Sequence, residues 1–273
     1  MNIDEYARTL LFSPHLEDKL LSPKVITSYN SFELVERPLF PGRDKLIAFS
    51  DVQIKFPKPR SLHVPERRAT ALHFFANHEL LAIEMMAAAI ICLPTRNEMD
   101  LKAKKGLIAT IADEQKHFLL YKKRMESLGL EFGGVALNDF FWKKFSEVEQ
   151  LDGFFALVSL TFEAANLDFA KFYENIFKDF EDFESERIMN IVYEDEISHV
   201  AYGRNWLNKW RNDKSLWEYY NELLPNNITP ARAKAMMFDH DARVRAGLDK
   251  EFIDGVKNYS DDFVVTNRRE WKK

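Results

Sequence analysis

Hydrophobic and polar positions fall into two textures along the chain. From Pro65 onward apolar residues recur at intervals of three and four, as in LVSLTFEAANLDFAKFY, which is the period of an amphipathic helix. Pro65 can open a helix, and neither Gly nor Pro follows until Pro94, so the first long helix runs from Pro65 to about Leu93. Asn97 is placed to cap a second helix from Glu98 to Leu128, and Gly129, Gly133 and Gly134 mark the loop after it. NDFFWKKF predicts a short helix after Asn138. Two more long helices are expected at Leu151–Phe180 and Glu184–Trp210.

The flanking regions lack this regularity. Residues 1–64 carry repeated prolines between short apolar runs and predict short helices, turns and extended pieces wrapped on a larger body. Residues 214–273 predict short helices, one with Thr229 as cap and Pro230 at its first position. The expected fold class is therefore all-α. Residues 1–64 form a wrapping segment, 65–213 a four-helix bundle of two long hairpins, and 214–273 a helical extension.

Composition narrows the class without naming a function. The chain of 273 residues can bury a large core, and its 23 Phe make that core aromatic. A formal net charge of −5 gives no overall electrostatic footprint for nucleic acid. Local clusters remain: Arg232, Lys234, Arg243 and Arg245, and near the end Arg268, Arg269, Lys272 and Lys273. The single Cys, Cys92, excludes an internal disulfide framework and a thiolate metal cage, and suits a cytoplasmic protein. The first residues carry acids where a secretory signal carries bases. The most apolar window, Leu80–Leu93, contains Glu84 and is too short to span a membrane.

The chemistry lies in a repeated pentapeptide. DEQKH begins at Asp113 and DEISH at Asp195, each on the second helix of its hairpin. In Glu-x-x-His the two side chains lie about 60° apart around a helix and can reach one point beside it. A carboxylate oxygen and an imidazole nitrogen suit iron, manganese or zinc. One copy of so short a motif arises easily by chance; two copies, each with the preceding Asp, do not. Glu114, His117, Glu196 and His199 are thus four candidate ligands.

Two metal ions in a helical bundle call for one further carboxylate from each remaining helix. Glu163, set among Leu160, Phe162, Ala164 and Ala165, is the candidate on helix three, where an unpaired acid would be costly to bury. Helix one offers Glu79 and Glu84. They lie about 140° apart around the helix and cannot easily share one target. Glu84 is favoured because Ala87 and Ala88 leave room beside it, and Glu79 stays as the alternative ligand or a neighbour of the site. Asp113 and Asp195 are expected to accept the second imidazole N–H of a ligating His, each from the other hairpin. Asn166 and His78 lie near the site by spacing. Tyr121, four residues after His117, either packs in the core or serves a redox or oxygen-orienting role.

This arrangement resembles the ferritin-like di-iron carboxylate superfamily, which includes ribonucleotide reductase small subunits, multicomponent monooxygenases, rubrerythrins and a tRNA hydroxylase. The position of Tyr121 matches the reductase's radical tyrosine. The blocks HELLAIE, DEQKHF, LGLEFG, NDFFW, SLTFEAANLD, DEISHVAYG, TPARAKA and AGLDKEFI resemble, more closely, a bacterial ferritin-like family known as domain of unknown function 455. That resemblance implies the bundle and a di-metal site, with no established reaction. The leading expectation is an oxidoreductase that uses O₂ at a di-iron or iron–manganese centre to oxidise a small-molecule substrate, with electrons from a donor. Iron storage and tRNA hydroxylation are the alternatives. A homodimer is compatible with either enzyme reading.

Overall fold

Each long helix begins and ends close to where the turn-forming residues place it. The computed structural model describes residues 1–29, 33–52, 54–226 and 228–260; among these, every regular element is helical and none is a β-strand. Two isolated bridges, Asn2 with Ser28 and Phe49 with Leu137, are the extended pieces. By internal contacts the chain groups into two compact units. One comprises Met1–Ser146 and Ile176–Ile188, the other Glu147–Asn175 and Met189–Lys273.

In the first unit, α1 (Ile3–Phe12) opens on a reciprocal cap: the Glu5 amide donates to Asn2 Oδ1 at 2.8 Å and the Asn2 amide to Glu5 Oε2 at 2.8 Å. Its buried apolar residues Ile3, Tyr6, Ala7, Leu10 and Leu11 follow the i, i+3, i+4 rule. A short α2 (Leu16–Lys19) follows. The long α3 (Pro65–Cys92) packs against both α1 and α4 (Glu98–Ser127), so it is buried on several faces. The acids within it consequently need partners.

The Asn97 side chain accepts from the amides of Met99 and Asp100, as its position predicts. At the other end of α4, Gly129 has φ +88°, and the Leu130 amide reaches back to the Met125 carbonyl at 3.1 Å, the closure that a left-handed residue allows. His73 accepts the Gly133 amide at Nε2 (3.0 Å) and stacks on Phe132. Burial pushes its imidazole down to about 4, so it stays neutral at physiological pH.

The open carbonyls at the end of α3 are closed by a buried cation. Lys104 Nζ donates to Ile90 O at 2.9 Å and also to Leu93 O. Burial pushes this amine from 10.5 down to about 8. Between those values the unfolded chain holds the proton more firmly than the folded one, so stability rises with pH across that window and is lowest below it. Buried Lys19 is shifted in the same direction. Thermal unfolding followed between pH 7.5 and 10 is therefore expected to show a rising midpoint, with a shallower rise in Lys104→Met.

The second unit holds one long helix with an irregular stretch, then its antiparallel neighbour. α6 (Leu151–Leu157) passes into a π-helical segment, Val158–Glu163, and continues as α7 (Ala164–Asp179). α8 (Phe183–Trp210) follows, its first residues and the end of α7 grouping with the first unit. Gly203 allows the close approach of α8 to this segment, since a Cβ there would lie 2.2 Å from Ser159 Cβ. α9 (Leu216–Leu223) starts on a Ser215–Glu218 capping box. Pro230–Ala233 is a 3₁₀ turn, where Thr229 makes no side-chain cap. α10 (His240–Arg245) and α11 (Lys250–Asn258) are the last described helices, and the short α5 (Phe140–Phe145) lies earlier, in the first unit.

One of the two expected basic clusters is engaged rather than open. Arg243 is fully buried, its guanidinium bidentate on Asp168 at 2.6 and 3.0 Å. Arg245 pairs with Glu194, and Lys234 donates to the carbonyls of Lys257 and Tyr259. Arg268, Arg269, Lys272 and Lys273 lie outside the described residues. Pro65–Cys92 and Leu151–Asp179 are long and apolar enough to cross a membrane, but 83% of each apolar window is buried within the fold, as in core helices.

Candidate metal centre

Each unit holds two buried candidate carboxylates and a buried imidazole. In the first, α3 supplies Glu79 and α4 supplies Glu114 and His117. All three are buried, and one ligand atom from each lies within 4.8 Å of the others. His117 Nδ1 is 3.1 Å from Glu114 Oε2, which is the meeting that the i, i+3 spacing requires. Asp113 is half-buried and pairs with Lys116 at 3.3 Å. The Tyr121 ring is buried, 5.5 Å from that of Phe75. His78 packs on Phe141 at 4.6 Å, and desolvation lowers its pKa to about 4.

Glu84, the favoured acid on helix one, is placed elsewhere. Its carboxylate accepts from Arg43 Nε at 3.0 Å and Nη2 at 2.7 Å, and it lies 2.9 Å from Lys19 Nζ. Arg43 also reaches Asn77 Oδ1 and stacks on Phe49 at 4.2 Å. The 140° separation between the two acids explains the division: one faces α4, the other faces the N-terminal segment. Glu79 is the helix-one acid that lies with Glu114 and His117.

In the second unit, Glu163 closes the π segment, and α8 supplies Glu196 and His199. All three are buried. Ligand atoms of Glu163 and His199 lie within 4.8 Å of each other, and His199 Nδ1 is 3.4 Å from Glu196 Oε2. Asn166 donates to Glu196 Oε1 at 2.9 Å, so the expected supporting residue does touch a candidate ligand. Asp195 is half-buried.

Within the first unit Glu79, Glu114 and His117 form a buried group that could hold a metal ion, and within the second Glu163 and His199 bring ligand atoms together beside Glu196. The donors are oxygens and imidazole nitrogens with no thiolate, a set that suits iron, manganese or zinc. Cys92 is no part of it; burial pushes its thiol up to about 11, which leaves it protonated and unreactive.

Three features beside the candidate acids gave no signal in the sequence. Lys19 and Arg43 lie in the aperiodic segment, and nothing there announces a partner for Glu84. The π segment contains neither Gly nor Pro, and its extra residue is masked by a continuous apolar run.

Comparison with known proteins places the chain without assigning an activity. The family model described as "Protein of unknown function (DUF455)" matches residues 10–254. An "Uncharacterized protein" of Haemophilus influenzae (strain ATCC 51907 / DSM 11121 / KW20 / Rd) is 25% identical over 241 residues, covering 86% of this chain and 79% of that one. No solved structure matches. The chain therefore belongs to the DUF455 family.

Proposed function

We propose that the protein is a ferritin-like four-helix bundle that holds two divalent metal ions, iron foremost, and uses O₂ to oxidise a small-molecule substrate. The observation that carries this reading is six buried ligand side chains, Glu79, Glu114 and His117 grouped within the first unit and Glu163, Glu196 and His199 within the second. Glu79, Glu114, Glu163 and Glu196 place four carboxylates beside two imidazoles in the interior, a donor set that suits divalent cations. Two divalent cations balance four carboxylates. When bound, such a pair supplies electrons to O₂ and oxidising power toward a substrate.

The protein's own residues then have defined tasks. The two Glu-x-x-His motifs hold the ions from α4 and α8, Glu79 and Glu163 complete the set, and Asn166 fixes the orientation of Glu196. Phe75, Phe118 and the aliphatic positions of α3 and α4 exclude water on their side. An external donor provides the electrons. Elemental analysis of freshly purified protein, with O₂ uptake measured after addition of a reductant, tests the proposal. It expects close to two ions per chain and uptake that depends on them; metal-free protein that takes up none from solution would rule it out.

A further inference from the structure

We propose that Thr161 and Tyr220 are positioning residues that stabilise the π segment Val158–Glu163 and so set the aim of Glu163, an inference that rests on the metal reading above. A π turn carries one residue more than an α turn, so residues across it are about 100° out of the register of a continuous α-helix. Glu163 is the last residue of the segment, and its direction depends on that extra residue being retained. A π segment is intrinsically rare, and something outside the helix backbone must favour it.

The structure assigns that role to a chain of buried hydroxyls. Thr161 Oγ1 donates to the Ala156 carbonyl at 2.9 Å, five residues back, which is the spacing of the π turn itself. That bond commits the only proton of the threonine hydroxyl. The Tyr220 hydroxyl, 2.8 Å from Thr161 Oγ1, is therefore the donor in the second bond. Tyr220 is fully buried on α9, and its ring packs against Phe252 and Trp217. Burial raises its pKa and keeps the donor proton in place.

A second clamp acts just beyond the segment. Arg243 Nη2 donates to the Ala164 carbonyl at 3.1 Å and to Ala233 O at 2.7 Å, while the same guanidinium holds Asp168. Asp168 in turn accepts the amides of Ala235 and Asp239. Both clamps come from residues 220–243. The C-terminal extension thus acts on the candidate ligand through the helix that carries it.

Cobalt(II) titration of the full-length metal-free protein tests this, with the visible ligand-field spectrum and the melting temperature recorded for each form. Wild type is expected to bind two ions. Thr161→Val is expected to weaken one ion about tenfold or more, as loss of an orienting group does, and to leave the other at wild-type affinity. The weakened ion is the one that Glu163→Ala also removes. Tyr220→Phe shifts the same ion in the same direction, and Thr161→Ser, which keeps the hydroxyl, restores the wild-type spectrum. Two ions bound with wild-type affinity and spectrum by Thr161→Val and Tyr220→Phe would overturn this inference alone. Equal loss of both ions alongside a collapsed melting temperature would also overturn it, as a general packing role. No cobalt uptake by wild type would overturn the metal reading, and this inference with it.

Discussion

Glu84→Gln is expected to destabilise the protein by about 3–5 kcal/mol, the usual cost of removing one partner from a buried ion pair, while leaving its metal content unchanged. The side chains of Lys19, Arg43 and Glu84 are at most 2% exposed. With the carboxylate gone, two cations are left facing a neutral amide in the interior. Arg43 keeps its bonds to Ile47 O and Asn77 Oδ1, and Lys19 keeps its bond to Leu10 O. Burial already lowers the Lys19 pKa, and Glu84 is the main group that opposes the shift. In the variant Lys19 sheds its proton more readily, so the deficit relative to wild type should shrink as pH rises. Urea unfolding at several pH values measures this directly. Loss of an ion in Glu84→Gln with little change in stability would return Glu84 to the ligand set.

Glu114→Ala is expected to abolish binding of at least one ion, because Glu114 lies with both Glu79 and His117 among the candidate ligands of the first unit. Glu79→Ala and Glu163→Ala should each weaken one ion more than the other. Stability separates this from simple damage to the core. Without metal, removing a carboxylate from an acidic interior relieves repulsion, so metal-free Glu114→Ala should melt at or above metal-free wild type despite the cavity. With metal in excess the order reverses, since an ion at a hundred times its dissociation constant adds about 2.7 kcal/mol to wild type only. Thermal unfolding with and without added metal, beside elemental analysis, reads both effects. An ion-free Glu114→Ala that melts far below ion-free wild type would instead mark Glu114 as a packing residue.

Much of this was legible in the sequence because it is local. Pro65, Asn97 and Gly129 mark helix ends by backbone and capping preferences that act over a few residues, and each sits where those preferences place it. The Glu-x-x-His pairs are equally local, since three residues of helix suffice to bring Glu114 and His117 together. The choice between Glu79 and Glu84 was not local. Both are acids in an apolar helix, and what divides them is a pair of cations 41 (84 − 43) and 65 (84 − 19) residues earlier, in a segment without periodicity. Arg243 shows the same limit. Beside Arg232, Lys234 and Arg245 it looks like part of a solvated basic face, yet its partner Asp168 lies 75 residues (243 − 168) away and both are buried. The π segment escaped for another reason. One additional residue inside a run of apolar side chains leaves every position hydrophobic, so the pattern reads equally well with or without it.

Anomalous scattering at the iron and manganese edges, from crystals of the metal-loaded protein, shows whether these six side chains hold two ions. Two peaks are expected, one against Glu79, Glu114 and His117 and the other against Glu163, Glu196 and His199, with Glu84 still bound to Arg43 and Lys19. No peak among these residues, or an ion held by Glu84 with Lys19 displaced, would contradict it.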